Sequence, residues 1–264
     1  MNNSVTFAHG NLQLDVGRIA RLTLQNPDAL NAMSHGMWLG FKEAIEYVSL
    51  QKEVRVLILT GQGDRAFSAG ADITEFPITY ESEITTSAYN NAVRNAQDAL
   101  AKLSVPTIAE IRGICFGGGC GLALHCDLRF VSTSLRFAIT PARLGLAYSF
   151  QDTARLVSLV GPAFAKDILM SGRVIEAQEA LNIGLVNRVV EKDKLNSVVS
   201  KYAAYLGAMS KTSISIAKET IESISRGDIS PSPELKSAFD ATFSGSDFAE
   251  GYAAFLEKRS PKFQ

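Results

Sequence analysis

An α/β fold is predicted, with a mixed core leading into a helical C-terminal part, and three features of the sequence carry that expectation. Short β-branched apolar runs alternate with stretches whose apolar residues recur at helical spacing. Glycine and proline punctuate the joints between them. Beyond Ser149 only the helical spacing continues.

The elements follow in order. Leu12 to Val16 and Ile19 to Leu24 alternate apolar and polar residues around Gly17, the pattern of a β-hairpin. From Ser34, the residues Trp38, Phe41, Ile45 and Val48 mark a helix, and the run Val54 to Leu59 after it reads as a buried strand. Gly61 to Pro77 is loop-like, and a loop of that length inside a compact domain is usually functional. A long helix is expected from about Glu83 to Leu103. Pro106 then opens a second strand, Thr107 to Ile111. The triplet Gly117-Gly118-Gly119 leads into an apolar helix ending near His125, and Leu128 to Ser132 reads as a third strand. After Ser149 helices are expected near Asp152 to Val160, Pro162 to Met170, Ala177 to Leu181, Leu195 to Met209, Ile214 to Ser225, Pro233 to Phe243 and Asp247 to Lys258. The last opens on Asp247-x-x-Glu250, a pattern similar to a capping box. We divide the chain at residue 200, with a core before it and a helical packing or oligomerisation region over 201–264.

Composition narrows the function. The chain has 264 residues, 46% of them hydrophobic, enough for one sizeable core. Its 26 basic and 27 acidic residues are scattered and sum to a formal charge of −1, so it carries no electrostatic footprint for nucleic acid or an anionic membrane. The N-terminus lacks a basic, apolar leader, and no segment approaches the roughly 18 apolar residues of a membrane span. A small-molecule substrate and a cytoplasmic location are expected. Cys115, Cys120 and Cys126 lack Cys-x-x-Cys spacing and read as reduced, packed thiols rather than metal ligands, His125 notwithstanding. His9, His35 and His125 stand beside no Ser or Cys in a triad-like motif, which argues against a nucleophilic hydrolase.

The glycine triplet carries the chemistry. Glycines let another group approach the backbone closely, and the first N–H groups of a helix have no internal partner, so this helix mouth can bind an anion. An oxyanion on a thioester, a phosphate, or mere packing would all use such a turn. The phosphate reading is weakened because the chain has no Walker-type lysine here and no Gly-x-Gly-x-x-Gly with an acidic residue about 20 positions on.

Two longer motifs surround that turn. Arg65-Ala66-Phe67-Ser68-Ala69-Gly70-Ala71-Asp72-Ile73 and Pro106 to Asp127, which contains Cys115-Phe116-Gly117-Gly118-Gly119-Cys120, resemble the two signatures of the crotonase superfamily, the enoyl-CoA hydratase/isomerase family. Similar matches run from Asn26-Pro27-x-Ala29-Leu30-Asn31-Ala32-Met33 through Ala177-x-Glu179-Ala180-x-x-x-Gly184-Leu185-Val186 to Glu250-Gly251-x-x-Ala254-Phe255-x-Glu257-Lys258-Arg259, so the resemblance covers nearly the whole chain. It implies a crotonase-like spiral of ββα units with a C-terminal helical oligomerisation region, assembling as a homotrimer or dimer of trimers. It implies an acyl-CoA thioester as substrate, with no cofactor beyond the coenzyme A that the substrate brings. The N–H groups of Ala71 and Gly118 would form the oxyanion hole. Ala29, Leu30, Asn31, Ala69, Gly70, Asp72, Ile73 and Gly117 would line the groove, mostly through backbone groups, and Lys258 and Arg259 would reach CoA phosphates, although cations near a helix C-terminus are favoured by the macrodipole in any case.

The chain departs from the family where hydratases carry two glutamates. Gly121 stands directly after Gly-Gly-Gly-Cys, and Pro141 stands in the following loop, and neither can move a proton. The loop Thr140-Pro141-x-x-Leu144-Gly145-x-x-Tyr148 instead resembles methylmalonyl-CoA decarboxylases, which have an active-site tyrosine at the Tyr148 position. Those enzymes have histidine where this chain has Ala71. Three readings stay open: an isomerase or hydratase-like reaction with relocated acids, a decarboxylation using Tyr148, and a catalytically silent acyl-CoA binder. Tyr148 could equally be an aromatic lid. Among the other acids, Glu110 is expected to pair with Arg112, and Asp72, Glu75 and Asp152 to cap helices or tie loops.

Overall fold

The computed structural model describes residues 3–263. Its strands are β1 (Asn3–Phe7), β2 (Leu12–Val16), β3 (Ile19–Leu24), β4 (Val56–Gly61), β5 (Ala66–Ser68), β6 (Thr107–Ile111), β7 (Ile114–Phe116), β8 (Leu128–Ser132), β9 (Arg136–Ala138), β10 (Ile175–Glu176) and β11 (Arg188–Val190). The α-helices are α1 (His35–Leu50), α2 (Phe76–Thr79), α3 (Glu83–Lys102), α4 (Gly118–His125), α5 (Phe150–Ser171), α6 (Ala177–Asn182), α7 (Leu195–Gly207), α8 (Lys211–Ser225), α9 (Pro233–Ala241) and α10 (Ser246–Leu256).

The strands form two sheets, ordered β1-β2-β3-β4-β6-β8-β11 and β10-β9-β7-β5. Each turn of the chain contributes one strand to each sheet and then a helix: β4, β5 and α3; β6, β7 and α4; β8, β9 and α5. The hairpin β2–β3 is antiparallel, while β3, β4, β6, β8 and β11 run parallel to one another. Parallel strands covered on both faces need continuous apolar runs, and every residue of β4 and β6 is buried. Strand β3, where the antiparallel hairpin meets the parallel strands, alternates instead.

Several expectations change at this level. Strands do not end at Ser149: β10 and β11 follow, and β11 closes the parallel sheet against β8. The 61–77 loop holds β5, a 3₁₀ turn at Ile73–Glu75 and the start of α2. The two helices expected over 152–170 are found as the two halves of α5, interrupted where Gly161 takes the non-helical φ +73° and ψ 167° ahead of Pro162. Asp247 and Glu250 do not form a capping box, because α10 starts after Gly245 with no side-chain cap. Asp247 instead accepts from Ser210 at 2.5 Å, and Glu250 pairs with Arg259 at 2.6 Å. Helix α7 crosses residue 200 and packs through Leu195, Val199 and Ala203 against Val56, Ile58, Ile108 and Phe130 of the large sheet. No helix among the described residues is long and apolar enough to cross a membrane.

Candidate active site

The site is built where the two signature segments meet. Met33 donates to the Gly70 carbonyl at 2.7 Å and Asp72 donates to the Met33 carbonyl at 2.9 Å, a parallel bridge that uses the amides on either side of Ala71 and turns its own N–H away. Gly70 takes φ +96°, and its N–H is held by Ser68 Oγ at 3.1 Å. The same hydroxyl donates to the Asn31 carbonyl at 2.8 Å. Opposite, Gly117 takes φ +48° and donates to the Ala138 carbonyl at 2.9 Å, so α4 starts at Gly118. Its N–H is an orphan of the helix terminus.

These two amides lie close together. A Cβ placed on Gly118 would lie 3.5 Å from the Ala71 nitrogen, and one on Gly70 would lie 3.0 Å from the Gly118 nitrogen. Among the described residues neither the Ala71 nor the Gly118 N–H donates to a protein acceptor. Helix α4 reaches this position because Gly119 lets it lie on β5: a Cβ there would sit 2.7 Å from the Ser68 carbonyl oxygen. Both donors open on a cavity of about 580 Å³.

Of the residues anticipated from the sequence, Ala69, Ala71, Ile73, Gly117, Gly118, Pro141 and Tyr148 line this cavity. Others stand behind it. Leu30 accepts the Ala69 N–H at 2.9 Å, and Asn31 spends its side chain on the Gln62 and Ala66 carbonyls, pinning the loop rather than facing the cavity. Asp72 caps the 3₁₀ turn by accepting from Thr74, and Glu75 accepts the His35 N–H at 2.6 Å, as tying roles require. Lys258 is exposed beyond α10 and is not brought to the cavity, while Arg259 is held by Glu250 and Glu257. Glu110 is buried away from the site and sits 2.6 Å from Arg112 and 2.9 Å from Arg21; the closer pair lacks the angle of a hydrogen bond. The three cysteines are free and buried. No cluster of three potential metal ligands occurs among the described residues.

Tyr148 is half-buried, with its hydroxyl donating to the Gly117 carbonyl at 3.4 Å. Burial pushes that phenol well above its ordinary value, so it stays protonated at neutral pH. Asp152 departs from expectation. Ser149, not Asp152, caps α5, accepting the Asp152 N–H at 3.0 Å. Asp152 contributes to the cavity wall and is 4% exposed, with its Oδ1 buried. Gln97 of α3 also lines the cavity there. The sequence offers no signal linking Asp152 or Gln97 to Gly121, because the three come together only through packing of α3, α4 and α5.

A two-sheet ββα spiral whose strand-to-helix turn aims free amides into a cavity is the crotonase fold. A family model described as enoyl-CoA hydratase/isomerase matches residues 16–264, and the chain belongs to that family. The crotonyl-CoA hydratase of Syntrophomonas wolfei is 35% identical over 248 residues, covering 93% of this chain and 94% of that protein. The short-chain-enoyl-CoA hydratase of Clostridium acetobutylicum is 35% identical over 246 residues, covering 92% and 93%. A solved structure of an enoyl-CoA hydratase/carnithine racemase from Magnetospirillum magneticum superposes with a TM-score of 0.93 at 34% identity, covering 100% of this chain and 98% of that one.

Proposed function

We propose that this protein acts on an acyl-CoA thioester by holding the enolate oxygen between the N–H groups of Ala71 and Gly118. The observation that carries this reading is the pair of neighbouring amides without protein acceptors, both opening on one cavity. Such preorganised donors act on charge that develops only as the reaction proceeds. The named relatives are hydratases of enoyl-CoA, which supports the thioester as the substrate class. The substrate would bring its own coenzyme A, and no further cofactor is invoked.

The reaction we favour is an isomerase or hydratase-like conversion whose acid stands elsewhere than at Gly121 and Pro141. Decarboxylation is the second reading, favoured by the loop that brings Pro141 and Tyr148 into the cavity wall. Offering the protein crotonyl-CoA, a 3-enoyl-CoA and methylmalonyl-CoA, with products read by mass spectrometry, separates them. Turnover of an enoyl-CoA is expected; tight binding with no turnover of any would indicate a silent binder. Tyr148→Phe removes one long hydrogen bond, worth about 0.5–1.5 kcal/mol, so enoyl-CoA turnover should fall by no more than about tenfold. A much larger loss, confined to methylmalonyl-CoA decarboxylation, would favour the second reading.

The same family reading extends to a cytoplasmic homotrimer or dimer of trimers. Exposed Phe239, Phe243, Phe248 and Phe255 on the C-terminal helices supply apolar surface for such an assembly. Light scattering on the purified chain measures its mass directly.

A further inference from the structure

We propose that Asp152 is the acid–base group of this site, its carboxyl standing in the place that a side chain at Gly121 would take. This inference rests on the enolate reading above.

The geometry starts at Gly121. A Cβ built there would meet Gln97 Nε2 at 2.2 Å and Asp152 Oδ1 at 3.0 Å. The position after the Gly-Gly-Gly-Cys turn is thus filled from outside its own helix, by an amide from α3 and a carboxyl from α5. Glycine at 121 is the condition for that arrangement, since any side chain would displace both groups. Asp152 and the two oxyanion donors line one cavity.

Asp152 is also poised rather than spent. Its Oδ2 accepts from Ser149 Oγ at 2.7 Å, which fixes the carboxyl's orientation. Its Oδ1 and Gln97 Nε2 are both buried without a well-formed hydrogen bond to protein. Gln97 still pulls on the carboxyl from beside Gly121, so Oδ1 is loosely held rather than fully satisfied, and a loosely satisfied buried carboxylate in a functional cavity is a candidate reacting group. His125 Nδ1 is 3.5 Å from Oδ1 but donates instead to the Gly121 carbonyl at 2.7 Å; that oxygen can only accept, so Nδ1 carries the proton. Burial lowers His125 to about 4, so the imidazole is neutral at pH 7 and supplies no countercharge.

The other groups around Asp152 are Cys120 of α4 and Tyr148 of the loop, both raised by burial and therefore neutral. Arg155 of α5 is paired with Glu222 at 3.2 Å. Arg94 and Asp98 of α3 line the same cavity. Burial, against the opposing influence of Ser149, Gln97 and Arg155, raises the Asp152 carboxyl, which makes its ionised form a stronger base.

One carboxyl suffices for double-bond migration. On a 3-enoyl thioester, the Asp152 carboxylate takes the proton from C2, and the C–H electron pair delocalises through the π system to the thioester oxygen held by Ala71 and Gly118. The dienolate then takes that proton at C4 from the Asp152 carboxylic acid, the carbonyl re-forms, and the double bond lies between C2 and C3. The carboxylate is regenerated, and nothing is oxidised or reduced.

The experiment uses trans-3-hexenoyl-CoA in D₂O, following 2-enoyl product and deuterium at C2 by mass spectrometry. Asp152→Asn keeps the volume and the Ser149 contact but removes the base, and turnover should fall by about 10²–10⁴-fold while thioester binding persists. Its melting temperature at neutral pH should hold or rise. A carboxyl whose folded pKa is raised above its unfolded value contributes stability at low pH that is lost as pH rises through the folded pKa, and asparagine removes that loss. Wild-type turnover with Asp152→Asn equally active overturns the assignment and leaves the enolate reading standing. No product and no exchange in the wild type removes both. Should Asp152→Asn fail to fold, Ser149→Ala decides: losing the hydroxyl that lowers Asp152 should move the acidic limb of kcat/KM to higher pH, and an unmoved limb overturns the assignment.

Discussion

Gly118→Pro is expected to cut turnover of any productive acyl-CoA by at least about 10²-fold, equivalent to roughly 2.7–4 kcal/mol of barrier, with thioester binding largely retained. Proline is tolerated at the first position of a helix because the N–H it lacks has no helical partner there. Here that orphan N–H is one of the two proposed oxyanion donors, so a change nearly silent for the helix removes half of the hole. Crowding must be separated from the lost amide, since any Cβ at 118 comes within 3.0 Å of Trp38 Cζ2. Gly118→Ala brings the same Cβ but keeps the N–H. The ratio of kcat between the alanine and proline variants, with binding followed by calorimetry, isolates the hydrogen bond. A proline variant that turns over as fast as the alanine variant would remove Gly118 from the chemistry.

The parts legible in the sequence are those with local causes. Strands β4 and β6 stand out because a strand buried on both faces must be apolar throughout, and α1 because its core-facing residues return every third or fourth position. The glycine turn is legible because close backbone approach leaves few alternatives to glycine. The three-residue strands β5, β7 and β9 are not, since each exists only by pairing within the small sheet, and β11 only by pairing with β8. Cap chemistry misled in two places: Asp247 carries a capping residue type but lies in the first turn of α10 and spends its carboxylate on Ser210, and Asp152 lies in the first turn of the helix that Ser149 caps. Local pattern located the oxyanion turn, whereas the carboxyl beside Gly121 comes from packing between helices distant in sequence.

Glu110→Ala should destabilise the fold by about 3–5 kcal/mol, the range for breaking a buried ion pair by deleting one partner. At about 2–4 °C per kcal/mol for a chain of this size, the melting temperature falls on the order of 10 °C. The glutamate side chain is 0% exposed and lies between Arg21 and Arg112, which are 23% and 14% exposed. Deleting it leaves two guanidinium groups near one another, poorly solvated and without their shared counter-ion. Arg21→Ala should cost less, because Arg112 still neutralises the carboxylate and Arg21 sits nearer water. The same variants test whether Glu110 takes part in catalysis: it does not line the site cavity, so Glu110→Ala assayed well below its melting temperature should keep kcat close to wild type. A variant that melted normally but lost turnover would reverse the assignment, making Glu110 a proton carrier and the two arginines the groups that tune it.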